Sequence, residues 1–285
     1  MRQMKNNIFL ILTLLLLTSC RGQTSKEENH VVEVEKEGKI TEIPKILNTE
    51  YDSETITIHI IVALCDNKYQ GIVPVPKAIG NGQDPKNNLY WGTAYGIKTY
   101  FKRSSEWTLI SQTEIDSTIL ERLIFKHNSK NYFIIADAYN GKNIKDATET
   151  FLRSSAGIVK DTLKVNNTTI GILGNSKLVA YIGHDGLMDF SLQEEFKNLD
   201  NEERDVIILA CYSKSYFTPH LEKSKVNPLI WTTGLMAPEA YTIHDAITGY
   251  VNGETNEEIR TRAAKAYHKY QKCGLNAAKN LLVTN

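Results

Sequence analysis

Two side chains suited to nucleophilic chemistry sit in matching local settings in this chain: His184 and Cys211. An imidazole takes up a proton near neutral pH, and a thiol becomes a strong nucleophile once deprotonated. His184 follows the apolar block "LVAYI" through Gly183 and precedes Asp185 and Gly186; Cys211 ends the block "VIILA". Short apolar runs bounded by polar or turn residues are how buried strands of a parallel sheet read. In such sheets reactive groups collect beyond the carboxyl ends of the strands, where the loops leave a crevice. Both residues are therefore expected on one sheet edge, within reach of each other. The competing reading makes Cys211 a small core hydrophobe, the commoner fate of a strand-end cysteine.

The elements that position the pair alternate between strand and helix patterns. "TITIHIIVALCDN" reads as a strand that enters half exposed, with His59 at a solvated phase, and ends buried. The Gly-, Pro- and Asn-rich stretch after Asp66 is longer than ordinary connections and leaves the edge expected to hold His184 and Cys211, so it is expected to form a specificity wall or lid. Within it, Gly80-Asn81-Gly82 lacks the helix start and third glycine of a dinucleotide site. Trp91, Ala94, Ile97 and Phe101 recur at helical spacing, predicting a packing helix over 91–103. Residues 107–127 read as two strands or a hairpin. "YFIIADAYN" is a buried strand ending near Asp137, which either lines a pocket for a basic substrate side chain or caps the following turn. A helix over 144–156 follows, and "TTIGILGNSK" then leads into the His184 strand. Beyond Cys211 come the strand "PLIWTTG", a helix from Pro238 to about Gly253, and a last helix opened by the capping box Thr255–Glu258. Cys273 shares the apolar face of that helix and reads as a core thiol. Alternating strands and helices predict a three-layer α/β/α sandwich with a mostly parallel sheet.

The succession of apolar block, His, Gly, spacer, apolar block and Ala-Cys, carried by "LVAYIGHDG" and "VIILACYS", resembles the clan CD cysteine peptidases: caspases, legumains, gingipains, separase and the CHAT proteases. The strand, helix and Ala-rich helix after Cys211 are similar to the CHAT-type downstream segment. The resemblance implies a caspase-like fold, His184 as base, Cys211 as nucleophile, a polypeptide substrate and no cofactor or metal. It departs from the family where Asp185 stands between His184 and Gly186, and in a short spacer of 211 − 184 = 27 positions. Gly183 and Gly186 are the candidates for turn and oxyanion roles. Asp185 reads as a turn-shaping residue directed to solvent, and Asp66, Asp137 and Asp185 are the acids available to a substrate pocket.

Residues 1–19 read as a signal peptide: Arg2 and Lys5 precede the apolar "IFLILTLLLL", which is too short to span a bilayer. Leu17-Thr18-Ser19-Cys20 resembles a bacterial lipobox, which implies lipidation of Cys20. The expected location is the cell envelope, anchored to a bacterial membrane at its periplasmic face or on the cell surface. Residues 20–50 read as a polar tether and 51–285 as one caspase-like domain. Loss of Arg2 and Lys5 leaves 31 − 33 = −2 formal charges, which gives no basic face for nucleic acid.

Two other classes compete. A metal-dependent hydrolase would recruit His184, Asp185, Asp189 and Asp137, but paired ligand spacings are missing from the sequence. A non-catalytic lipoprotein binding module with a degenerate site is the stronger rival. A Cys65–Cys211 disulfide is disfavoured if the His184 strand lies between theirs, because two strand spacings, about 9.5 Å, exceed the usual Cα separation. For the anchor, Cys20→Ala is expected to move the protein from the membrane fraction to the soluble fraction; retention in membranes would mean another anchor.

Overall fold

The computed structural model describes residues 50–285. The signal peptide, Cys20 and the tether through residue 49 lie outside the described residues. Among the described residues no helix is long and apolar enough to cross a membrane. The elements in chain order are β1 (Ile56–Ala63), α1 (Ile97–Lys102), β2 (Trp107–Thr113), β3 (Ile119–His127), β4 (Tyr132–Tyr139), α2 (Ile144–Ser155), β5 (Lys160–Val165) and β6 (Thr168–Leu173). They continue with β7 (Leu178–Ile182), β8 (Arg204–Leu209), α3 (Ser213–Leu221), β9 (Val226–Thr232), α4 (Ala240–Val251), α5 (Asn256–Gln271), α6 (Leu275–Leu281) and β10 (Leu282–Val283).

The fold is mixed α/β around an eight-stranded sheet in the order β10-β9-β8-β7-β1-β4-β3-β2. The five strands β9, β8, β7, β1 and β4 run parallel to one another. The pairs β4–β3, β3–β2 and β9–β10 at the two flanks are antiparallel. Apolar runs form the centre because both faces are covered. Ile58, Ile60 and Val62 of β1 pack with Tyr241, Ile247 and Ala263 of α4 and α5, while Ile61 and Ala63 pack with Phe151 of α2 and Phe217 of α3. The capping box at Thr255 and Glu258 opens α5 with both reciprocal bonds formed.

Three local readings need correction. The helix expected over 91–103 is confined to α1, because Gly92 and Gly96 sit in a tight turn in which the amides of Trp91, Gly92 and Thr93 converge on the Asn88 carbonyl. A Cβ on Gly96 would lie 2.4 Å from the Trp91 backbone, so the chain there is too crowded for a helix carrying ordinary side chains. Cys273 is exposed, not a core thiol: α5 ends at Gln271, and Lys272 turns left-handed at φ 57°, which takes Cys273 off the apolar face. His59 is buried, not solvated, because the hairpin β5–β6 covers the face of the sheet that alternation alone assigns to water.

Burial forces His59 to find partners. Its Nδ1 accepts the Leu173 amide at 2.9 Å, so the ring proton sits on Nε2 and is donated to Asp137 at 3.0 Å. Asp137 also receives a two-pronged contact from Arg122 at 2.6 and 2.7 Å. Burial pushes the Asp137 carboxyl up, but the bonds and charge of Arg122 and His59 outweigh it and hold it below its ordinary value. Asp137 therefore neither caps a turn nor lines a substrate pocket; it ties β3, β1 and the hairpin together. Asp137→Ala is expected to cost about 3–5 kcal/mol, the usual result of orphaning a buried charge, read from urea unfolding. A loss below about 1 kcal/mol, the worth of an exposed pair, would show the cluster to be dispensable.

Candidate active site

The strand order reverses between β1 and β7, since β1 is followed by β4 on one side and β7, β8 and β9 lie on the other. At such a switch point the loops leaving neighbouring strands part and open a crevice at their carboxyl ends. A cleft of about 300 Å³ lies there, lined by residues that follow β1, β7, β8 and β9 and including both His184 and Cys211.

Register brings the two residues to the ends of neighbouring strands at the same level. Ile182 of β7 is opposite Leu209 of β8, and the next two residues on each strand lead to His184 and Cys211. Gly183 makes the turn at φ 149°, where a Cβ would stand 2.7 Å from the Ala63 carbonyl, so only glycine lets β7 end this close to β1. Tyr212, left-handed at φ 51°, turns the chain from Cys211 into α3. The buried hydroxyls of Ser213 and Thr232 hydrogen-bond each other at 3.1 Å and fix that turn against β9.

His184 is nearly buried and directs Nε2 at Asp189 Oδ2, 2.8 Å away. The same oxygen accepts the Gly71 amide at 2.9 Å. A carboxylate that accepts both bonds places the imidazole proton on Nε2 and leaves Nδ1 as the basic nitrogen. Asp189 reaches the ring because a short 3-10 turn, Gly186–Met188, brings the chain back five residues after His184. From the sequence Asp189 stands only among possible metal ligands; its distance of one short turn from His184 is the signal that points to this contact. The Gly71 contact also joins the long loop after β1 to the histidine's partner, so this loop is a wall of the cleft.

The Cys211 sulfur contacts the backbone of Met236, whose amide approaches at 3.5 Å and whose carbonyl lies at 3.7 Å. Burial pushes the thiol up, the Met236 contact pulls it down, and the charge of Asp185 pushes it up further; the net direction is upward. At rest the group is a thiol and needs a base to become a nucleophile. Cys65, Cys211 and Cys273 are all free, and β7 lies between the strands that lead to Cys65 and Cys211.

Of the remaining candidate residues only Gly183 lines the cleft. Gly186 packs against Phe190 and Thr148, and the Gly183 amide is already bonded to the Leu209 carbonyl at 3.3 Å, so Gly183 serves the turn and not an oxyanion. Asp66 is buried and organises its loop, accepting from the amides of Lys68 and Tyr69 and from Gln83. Asp185 is buried, not directed to solvent; it shapes the turn by accepting the Leu187 amide at 3.0 Å. None of Asp66, Asp137 and Asp185 lines the cleft. Asp137 is committed to His59 and Arg122, and among the described residues no group of three or more His, Cys, Asp and Glu is arranged to hold a metal ion. No protein-family model, curated protein or solved structure matches this chain.

Asp185 carries a measurable consequence. Burial raises its carboxyl from 3.8 to about 7; the Leu187 amide opposes the rise and the nearby charge of Asp189 adds to it. Its second oxygen is buried without a hydrogen-bond partner, as suits a protonated acid. Because the folded-state value is raised, the native state binds the extra proton, and stability from this group is present below pH 3.8 and lost as pH rises through about 7. Asp185→Asn is expected to flatten that fall, with a ceiling of roughly 4 kcal/mol at pH 8, and to speed Cys211 alkylation a few-fold at pH 8 while leaving it unchanged at pH 5.5. Equal pH profiles for the two proteins, in both stability and alkylation, would show that this carboxyl does not titrate near neutrality.

Proposed function

We propose that the chain is a cysteine endopeptidase of the clan CD type, with the caspase-like three-layer sandwich, held at the cell envelope by a lipid on Cys20. The observation that carries this reading is the meeting of Cys211 and His184 in one cleft, from the ends of adjacent parallel strands, with the ring oriented by Asp189.

The reaction follows from the groups present. With a peptide in the cleft, His184 Nδ1 takes the proton of Cys211 Sγ as the sulfur bonds to the carbonyl carbon, and the carbonyl oxygen becomes an oxyanion. Collapse of this intermediate breaks the C–N bond; the imidazolium returns its proton to the departing amine, leaving a thioester on Cys211. A water molecule, deprotonated by Nδ1, attacks the thioester, the C–S bond breaks, and the thiol recovers its proton. Through both half-reactions Asp189 holds Nε2–H and steadies the imidazolium. The upward-shifted thiol suits a pathway in which proton removal accompanies attack, with no standing thiolate.

A second reading, a non-catalytic binding module with a degenerate site, is favoured by the contact of the thiol with the Met236 backbone, which gives the sulfur a packing role. A peptide-library digest read by mass spectrometry separates the two. The peptidase reading expects cleavage that Cys211→Ala and His184→Ala abolish and that Asp189→Asn lowers in kcat by roughly 10²–10⁴-fold. Binding of peptides without cleavage, equal in wild type and Cys211→Ala, would establish the module.

A further inference from the structure

The cleft beside Cys211 is walled by apolar side chains: Ile72 and Val73 from the loop after β1, Met188 from the turn after β7, and Leu235, Met236 and Pro238 from the loop after β9. Val73 and Leu235 are 88% and 69% exposed, the two highest values among the exposed large hydrophobic residues described, and Met188 is 41% exposed. Single exposed hydrophobes are ordinary on a protein surface, whereas three meeting at the mouth of one cleft mark a surface that is completed by something apolar.

No Asp, Glu, Lys or Arg lines the cleft, and the acids nearest to it in the chain are held by other partners. Asp189 is held by His184 and Gly71, Asp66 by its own loop, and Asp185 is buried beneath the turn. Glu239, next to Pro238, accepts from Tyr241 and Gln271. Lys68 lies over the ring of Tyr69. A charged substrate side chain entering this cleft would lose its water and find no opposite charge.

Resting on the peptidase reading, we propose that this cleft is the specificity subsite, and that it selects a large apolar or aromatic side chain on the residue whose carbonyl Cys211 attacks. The volume of about 300 Å³ sits at the lower end of ligand pockets, which suits one side chain and its adjoining backbone. Tyr90, nearly buried at the cleft wall, supplies an aromatic surface against which such a side chain packs. Selection of this kind rests on the loops, whereas the nucleophile and base rest on the sheet, so the two are separable by mutation.

The test uses peptidyl chloromethyl ketones identical except for a terminal Phe, Leu, Asp or Arg, with the rate of Cys211 alkylation in the full-length protein followed by peptide mass spectrometry. In each case the sulfur displaces chloride, and exposed Cys273 reports unselective alkylation in the same sample. Cys211 is expected to react at least roughly 100-fold faster with the Phe and Leu probes than with Asp or Arg. Leu235→Glu, a change at an exposed rim position, is expected to raise the Arg-to-Leu rate ratio by about tenfold or more. Equal or faster reaction with Asp or Arg, still dependent on His184, would overturn the apolar subsite and leave the nucleophile in place. Reaction of Cys211 with all four probes no faster than that of Cys273, and indifferent to His184→Ala, would overturn the peptidase reading and the subsite with it.

Discussion

The site depends on the in-register parallel pairing of β7 with β1 on one side and β8 on the other. Ile182 is opposite both Val62 and Leu209, so the three strands stop at the same level and deliver Cys65, His184 and Cys211 to one edge. Side chains alternate with a period of two along a strand, so a slip of one residue would send these groups to the wrong faces. Burial on both faces prevents the slip, since apolar residues of β7 belong to cores above and below the sheet. The apolar blocks thus act as alignment devices for the chemistry at their ends.

A second constraint operates through Asp189. One carboxylate oxygen bonds both the His184 imidazole and the amide of Gly71, and a Cβ on Gly71 would lie 2.3 Å from the other oxygen. A side chain on this residue would push the Asp189 carboxylate away from its present position. The loop is itself well built: Asn88, fully buried, bonds the amide and carbonyl of Cys65 at 3.1 and 2.8 Å. The loop wall, the His184 ring and Asp189 therefore form one connected unit, in which displacement of the loop would loosen the ring. The cluster of His59, Asp137 and Arg122 contrasts with it, since the His59 and Asp137 side chains are fully buried and bonded to protein and the cluster serves cohesion of the fold.

Much of this arrangement was legible in the sequence because buried strands announce themselves. The runs ending at Leu64, Tyr139, Ile182 and Leu209 are apolar on both phases, and their alternation with helical patterns dictates a largely parallel sheet. The capping box at Thr255 is a local motif with local causes and needs no tertiary context. What escaped the sequence depends on context. His59 reads as solvated until the β5–β6 hairpin is placed over it, and Cys273 belongs to the helix face until Lys272 turns left-handed. Asp137 looks like a turn or pocket acid because Arg122, fifteen residues earlier, is invisible as its partner. The cleft walls come from loops, which carry no periodicity to reveal that Val73, Met188 and Leu235 meet.

The chemistry proposed for the cleft makes Cys211 a nucleophile activated by His184. Its most direct test is capture of the covalent intermediate: the protein is mixed with an activated peptide ester bearing a terminal Phe, quenched in acid within seconds, and examined by intact and peptide mass spectrometry. One acyl group is expected on Cys211, removed by hydroxylamine as a thioester is, and no adduct in His184→Ala. An adduct that forms equally without His184, or that falls on Cys65 or Cys273 in place of Cys211, would contradict it.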